Sequence, residues 1–358
     1  MRITRVLFVA LALLLACPLA QAKKQKGLKD AYRKYFTIGV AVNRRNVSQP
    51  DQMDMLCREF NSITAENDMK PGSLHPAIGV WRWEGADRIA NFCREHKIPL
   101  RGHNLVWHNQ FCDWMFQDWQ GKPVTKEVFY ARLREHIYTV VRRYKDIVYA
   151  WDVVNEAMAD GPRKDGPLTD ADFRQTRMYK LCGDEFIAKA FQFAHEADPN
   201  AILFYNDYST VDPGKRERIY LMVKKLQEQG VPIQAIGMQG HYNVHGPSME
   251  NVEKAIDRFS ELVDVIHFTE VDVRASKEMG GQLEFDRHNV ELTAKADSML
   301  TTQYERLFDV FRRHKKIVRN VTFWNLSDRD SWLGQKNYPL LFDAEYKRKP
   351  AYDAVINF

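Results

Sequence analysis

Two glutamates stand at the ends of apolar, β-branched runs, Val148-Tyr-Ala-Trp-Asp-Val-Val-Asn-Glu156 and Val265-Ile-His-Phe-Thr-Glu270. Burying a carboxylate is costly unless it is paired or put to use. Two carboxyls delivered on strand ends suit the cleavage of a glycosidic bond: one protonates the leaving oxygen while the other attacks the anomeric carbon. In a retaining glycosidase such carboxyls lie roughly 5 to 5.5 Å apart. The residues alone do not say which glutamate takes which role, and two unrelated strand-end glutamates in salt bridges are the competing reading. Other strand-like runs end in groups that hydrogen-bond or titrate: Glu66-Asn67, His103, Asn206-Asp207, Gln239 with His241, Asp272, and Ser327-Asp328.

The elements that must position these groups can be read as eight short β-branched or aromatic runs, at 36–42, 61–66, 98–103, 148–154, 201–206, 234–239, 265–271 and 320–326. Helical patterns lie between them. Phe129, Leu133, Ile137 and Val140 share one face, as do Ile219, Met222, Val223 and Leu226, closed by Gly230, and Tyr304, Leu307, Phe308 and Phe311. Eightfold strand–helix alternation predicts an α/β fold, a (β/α)8 TIM barrel in which every strand end converges on one catalytic mouth. No linker, low-complexity tract or binding module divides residues 23–358, which are expected to form one domain.

Residues 1–22 read as a signal peptide: a basic start through Arg5, an apolar stretch from Val6 to Ala16, and Ala20-Gln21-Ala22 before cleavage. The expected product is exported, periplasmic or secreted, beginning near Lys23. Leu14-Leu-Ala-Cys17 offers an alternative, lipoprotein anchoring at Cys17. Loss of Arg2 and Arg5 lowers the formal charge from +5 to +3. Lysines and arginines are scattered among acids, so no nucleic-acid partner is expected, and no apolar run reaches spanning length. Cys57, Cys93, Cys112 and Cys182 are read as buried free thiols, although Cys57 and Cys93 fall on adjacent predicted helices and export permits a disulfide. No Cys/His spacing suggests a zinc site.

Seven segments together resemble glycoside hydrolase family 10, the retaining endo-β-1,4-xylanases: Thr64–Lys70, Arg101–His108, Trp151–Ala157, Phe204–Tyr208, Gly237–His241, Thr269–Asp272 and Ser327–Trp332. The resemblance runs from about Phe36 to Tyr352 and implies that Glu156 is the acid/base and Glu270 the nucleophile. It implies that Asn155 bonds the sugar 2-hydroxyl, and that His241, oriented by Asp272, bonds the nucleophile. Glu66, Asn67, Lys70, His103, Trp107 and Gln110 would line the glycone side, with Gln239 at the sugar nearest the chemistry. Trp324 and Trp332 would pack on pyranose faces, and Tyr208 is a candidate platform on the leaving-group side. Trp81, Trp83 and Trp151 read as core. Xylan and xylo-oligosaccharides are the implied partners of a monomer that uses neither metal nor cofactor. Lys70, Trp324 and Trp332 favour xylan over a glucan or mannan, and retention of both glutamates argues against a glycan-binding protein descended from an enzyme.

The chain departs from the family pattern in places. Asn325 stands where glycine is usual, which puts the local backbone in question. Thr176 and Met178 replace a serine and a tryptophan, and the loop Phe111–Phe116 lacks the usual proline, so distal subsites are expected to differ.

Overall fold

A computed structural model describes residues 26–275 and 292–358. The expected signal peptide, its cleavage site and Cys17 lie outside the described residues. Eight parallel strands form the barrel: β1 (Thr37–Val42), β2 (Ser62–Ala65), β3 (Leu100–Trp107), β4 (Val148–Asn155), β5 (Ile202–Asp207), β6 (Ala235–Met238), β8 (Val265–Arg274) and β9 (Val318–Phe323). Each pairs with the next, β6 pairs directly with β8, and β9 pairs with β1, closing the ring. A short strand that the sequence pattern did not suggest, β7 (His241–Asn243), pairs with the far end of β8 and sets His241 opposite Asp272.

All eight runs read from the sequence are strands, with shifted ends: β3 continues to Trp107, which carries a further aromatic to the mouth. A helix follows every barrel strand. The faces anticipated on Lys126–Tyr144, Pro213–Glu228 and Ala294–Arg313 are all buried against the sheet. Side-chain oxygens of Thr125, Asp212, Ser248 and Thr293 accept backbone N–H groups at the starts of their helices. Such caps satisfy donors that would otherwise lack partners, and they turn the chain sharply from strand end to helix.

On the outer face of the barrel, toward the helices, Trp151 packs against β3 at Gly102, its register partner. A Cβ at Gly102 would stand 2.1 Å from the indole, so only glycine admits this packing. Below the mouth, the fully buried Arg101 makes a two-pronged ion pair with Asp152. Cys57, Cys93, Cys112 and Cys182 are free thiols, Cys93 and Cys182 buried and the other two partly so. Among the described residues no helix is long and apolar enough to cross a membrane.

Candidate active site

Strand ends β3, β4, β5, β6 and β8 bring Glu156 and Glu270 into one hydrogen-bonded cluster. Asn206, at the end of β5, lies between them: its amide donates to Asn155 Oδ1 at 2.9 Å and to Glu270 Oε1 at 2.8 Å. Thr269 Oγ1 donates to Asn206 Oδ1 at 2.6 Å, fixing the amide orientation. Asn206 reaches this place because residue 237 on β6 has no side chain; a Cβ there would sit 2.2 Å from Asn206 Oδ1.

The two carboxyls have opposite environments. Glu270 accepts from Asn206 at Oε1 and contacts His241 Nε2 at 3.3 Å through Oε2. Burial pushes its pKa up, but the His241 hydrogen bond, the His103 and His241 charges and the Asn206 amide outweigh it and hold the carboxyl at about 2. His241 Nδ1 faces Asp272 Oδ2 at 2.8 Å, an oxygen that also accepts from Trp332 Nε1 at 2.8 Å. Burial disfavours the imidazolium; Asp272 and Glu270 overcome that and raise His241 to about 10.

Glu156 accepts from Trp107 Nε1 at 2.7 Å, Gln239 Nε2 at 2.9 Å and Asn155 Nδ2 at 3.2 Å. Even so its pKa is raised, first by burial and then by the negative charge of Asp207, with a smaller push from Glu270. One carboxylate is thus held ionised and the other is biased toward its acid form. That is the division of labour a two-carboxyl glycosidase requires.

Lys70, buried, donates to Asn67 Oδ1 at 3.0 Å, and its ammonium lies 4.8 Å from the Trp107 ring centroid and 5.9 Å from that of Trp324. Burial lowers its pKa, opposed by Glu270, Glu66 and Glu156, so its charge faces all three carboxylates. Burial raises the Glu66 carboxyl, opposed by the Asn325 amide and Lys70. His103 is held by Asp152 through Nδ1 at 2.8 Å and meets Trp324 edge-on at 5.1 Å. Asn325 itself has φ +98°, a conformation glycine adopts readily, and its side chain accepts the Trp332 N–H at 3.2 Å.

A profile of glycosyl hydrolase family 10 matches residues 27–358. The chain belongs to glycosyl hydrolase family 10. It is 60% identical over 338 residues to an endo-1,4-beta-xylanase/feruloyl esterase of Xylanibacter ruminicola, covering 93% of this chain and 47% of that protein. The chain therefore spans about half the length of that relative. It is 41% identical over 335 residues to endo-1,4-beta-xylanase B of Paenibacillus barcinonensis, covering 92% of this chain and 97% of the other. Among solved structures, a psychrophilic family 10 endo-beta-1,4-xylanase superposes with a TM-score of 0.88 at 54% identity, covering 93% of this chain and 100% of that one.

Within this family 10 chain, the residues singled out from sequence fall into three groups. Glu156, Glu270, Asn155, Gln239, His241, Asp272, Trp107 and Trp332 form the connected cluster, and Glu66, Asn67, Lys70, His103 and Trp324 stand beside it. Trp107, expected to meet sugar hydroxyls, spends its indole N–H on Glu156. Tyr208 and Gln110 lie apart. Tyr208 is pinned by Asp160 at 2.6 Å and by Arg174, with the Lys215 ammonium 4.1 Å from its ring centroid. Gln110 is exposed on the rim, φ +54°, with its carbonyl against Gly72.

Sequence reasoning noted Asn206 and Asp207 only as strand-end groups and overlooked Asp152, Arg101 and Tyr205. Their signal was period-2 alternation along β3, β4 and β5. It places Asn206 on the barrel side and Tyr205 and Asp207 on the other.

Proposed function

We propose that this chain hydrolyses internal β-1,4-xylosidic bonds of xylan and xylo-oligosaccharides with retention of anomeric configuration. Glu270 is the nucleophile and Glu156 the acid/base. The observation that carries the assignment is the contrast between the carboxyls, Glu270 held at about 2 and Glu156 raised. The names of relatives at 60% and 41% identity support xylan as the substrate.

In the first step, a Glu270 carboxylate oxygen attacks the anomeric carbon as Glu156 gives its proton to the departing glycosidic oxygen, leaving a glycosyl ester on Glu270. Glu156, now a carboxylate, takes a proton from water as that water attacks the same carbon and releases Glu270. Two inversions give retention. The two carboxyls supply all the proton and electron-pair movements, so the reaction needs no cofactor. His241, clamped by Asp272, orients the nucleophile. Asn155, its amide between Glu156 and the Asn206 and Gln239 donors, is placed at the sugar nearest the chemistry, where bonding to the 2-hydroxyl strengthens in the transition state. Lys70, Asn67, Glu66, His103, Trp324, Trp332 and Gln110 serve the glycone side, and Tyr208 the leaving-group side.

The test compares Glu270→Ala with Glu156→Ala on aryl β-xylobiosides. Glu270→Ala abolishes turnover on every substrate. Glu156→Ala retains the first step with an activated phenol, which needs no proton, and loses about 10² to 10⁴ in rate with a poor leaving group. Azide should then yield the β-glycosyl azide. Equal losses on both substrates in Glu156→Ala contradict the assignment.

We also propose that residues 1–22 direct export and are removed, giving a soluble monomer starting near Lys23. Mass spectrometry of the exported protein tests this: a diacylglyceryl group on Cys17 refutes it in favour of lipid anchoring.

A further inference from the structure

Glu156 occupies a backbone conformation that few residues other than glycine adopt, with φ +60°. Such an elbow persists only where its surroundings over-determine it. Here the restraints are specific. Glu156 N–H donates to the Asn206 carbonyl at 2.9 Å, and its own carbonyl accepts from Arg174 Nε at 3.0 Å. The next two N–H groups, of Ala157 and Met158, both donate to the Tyr205 hydroxyl, at 2.9 and 3.2 Å.

That hydroxyl in turn donates to Asp207 Oδ2 at 2.5 Å, so both its lone pairs and its proton are in use. Asp207 Oδ1 accepts from the Tyr208 N–H at 2.9 Å and pairs with Lys215 Nζ at 3.1 Å. Lys215 also bonds Asp160 Oδ1 at 2.7 Å, and Asp160 receives Tyr208 and Arg174. Tyr205, Asp207 and Lys215 are essentially inaccessible to solvent.

We propose that Tyr205, Asp207 and Lys215 form a positioning device behind the acid/base: the phenol, held by Asp207, locks the Glu156 elbow, and Asp207, anchored by Lys215, places a buried carboxylate behind it. The inference rests on the reading of Glu156 as the acid/base. Asp207 adjoins no reacting atom, yet it outranks Glu270 among the charges that raise Glu156. Burial raises Asp207, opposed by Lys215 and the Tyr205 hydrogen bond, the partners that favour its negative charge. A low dielectric makes that charge felt through the strand.

The other groups facing Glu156 are Trp107 from β3, Asn155 on β4, Gln239 after β6, Glu270 on β8, Lys70 after β2, and Arg174 and His108 on flanking loops. None of them couples the elbow to a buried anion. Lys215 limits the effect: it opposes the burial that raises Asp207, while its own positive charge partly offsets the Asp207 field at Glu156.

The test uses two isosteric variants of the full chain, assayed on phenyl and 2,4-dinitrophenyl β-xylobioside across pH. Tyr205→Phe removes the acceptor of two buried N–H groups and frees the elbow, so kcat/KM should fall at least tenfold more on the phenyl than on the dinitrophenyl substrate. Asp207→Asn removes the anion and leaves Lys215 with Asp160 as its remaining carboxylate. Both changes favour Glu156 carboxylate, so the alkaline limb on the phenyl substrate should move down by about one pH unit or more.

Equal losses on both substrates in Tyr205→Phe, or an alkaline limb unmoved or raised in Asp207→Asn, would overturn the proposal. Should one variant not fold, the other decides. Failure of both to fold, read by near-UV circular dichroism, would assign the trio to stability alone and overturn it as well. Glu156→Ala serves as the control. If it shows no leaving-group discrimination, the acid/base reading itself fails; if it does and Tyr205→Phe does not, only the present inference fails.

Discussion

Replacing Trp107 by phenylalanine tests the electrostatics of Glu156, the proposed acid/base, from the side opposite Asp207. The indole N–H is the shortest of the three donors to Glu156, at 2.7 Å, and it reaches Oε2 alone, while Gln239 and Asn155 share Oε1. A hydrogen bond to a charged group contributes about 1.5 to 3 kcal/mol. At about 1.36 kcal/mol per pKa unit, its loss should raise Glu156 by about 1 to 2 units. The sign follows from which form the donor favours: indole N–H stabilises the carboxylate, so removing it favours the acid. The alkaline limb of kcat/KM, which reports the acid in the free enzyme, should move to higher pH.

The assay is the pH dependence of kcat/KM on phenyl β-xylobioside for wild type, Trp107→Phe, Asp207→Asn and the double variant. Plateau activity will fall in Trp107→Phe because part of the face that Lys70 approaches at 4.8 Å is lost, but plateau and limb are read separately. The two single variants should shift the limb in opposite directions, and the double variant should return it near the wild-type position. A limb in Trp107→Phe that stays put or moves down refutes the account of how Glu156 is held.

Asp272→Asn weakens the imidazolium of His241, which the intact pair raises to about 10, and so releases Glu270 from about 2 toward an ordinary carboxylate. The acid limb of kcat/KM between pH 3 and 6 should move up. Because His241 is raised in the folded state, its contribution to stability is full below about 6.5 and lost as pH rises through about 10; urea midpoints should show that loss in wild type and less of it in Asp272→Asn. Gly237→Ala places a methyl 2.2 Å from Asn206 Oδ1, so unfolding free energy should fall by about 1 to 3 kcal/mol and activity should fall with the displaced bridge; unchanged turnover would refute Asn206 as the link between the carboxyls. Wild type should prefer aryl β-xylobioside to aryl β-cellobioside by roughly 5- to 150-fold, the worth of 1 to 3 kcal/mol of overpacking at the glucose hydroxymethyl. Trp332→Ala should narrow that ratio mainly by harming the xyloside, because the indole also donates to Asp272 behind Glu270, and an unchanged ratio refutes the steric account.

The strand–helix alternation, the two glutamates and most groups around them were legible in the sequence because each depends on local pattern. Period-2 runs mark strands, 3.6-residue faces mark the helices, and a polar residue closing a barrel strand must lie at the mouth. The family resemblance then supplied roles that spacing alone left open. Which carboxyl is acid and which is nucleophile depends on partners far apart in the chain: Glu270 on His241 and Asn206, Glu156 on Trp107 and Asp207. A pKa is set by burial and by charges within a few ångströms, and only closure of the barrel brings those charges there. The same holds for the Tyr205 hydroxyl beneath the Glu156 elbow and for Gly237 opening space for Asn206. A buried tyrosine and a strand glycine are unremarkable in one dimension. They acquire meaning when register sets them against a particular neighbour.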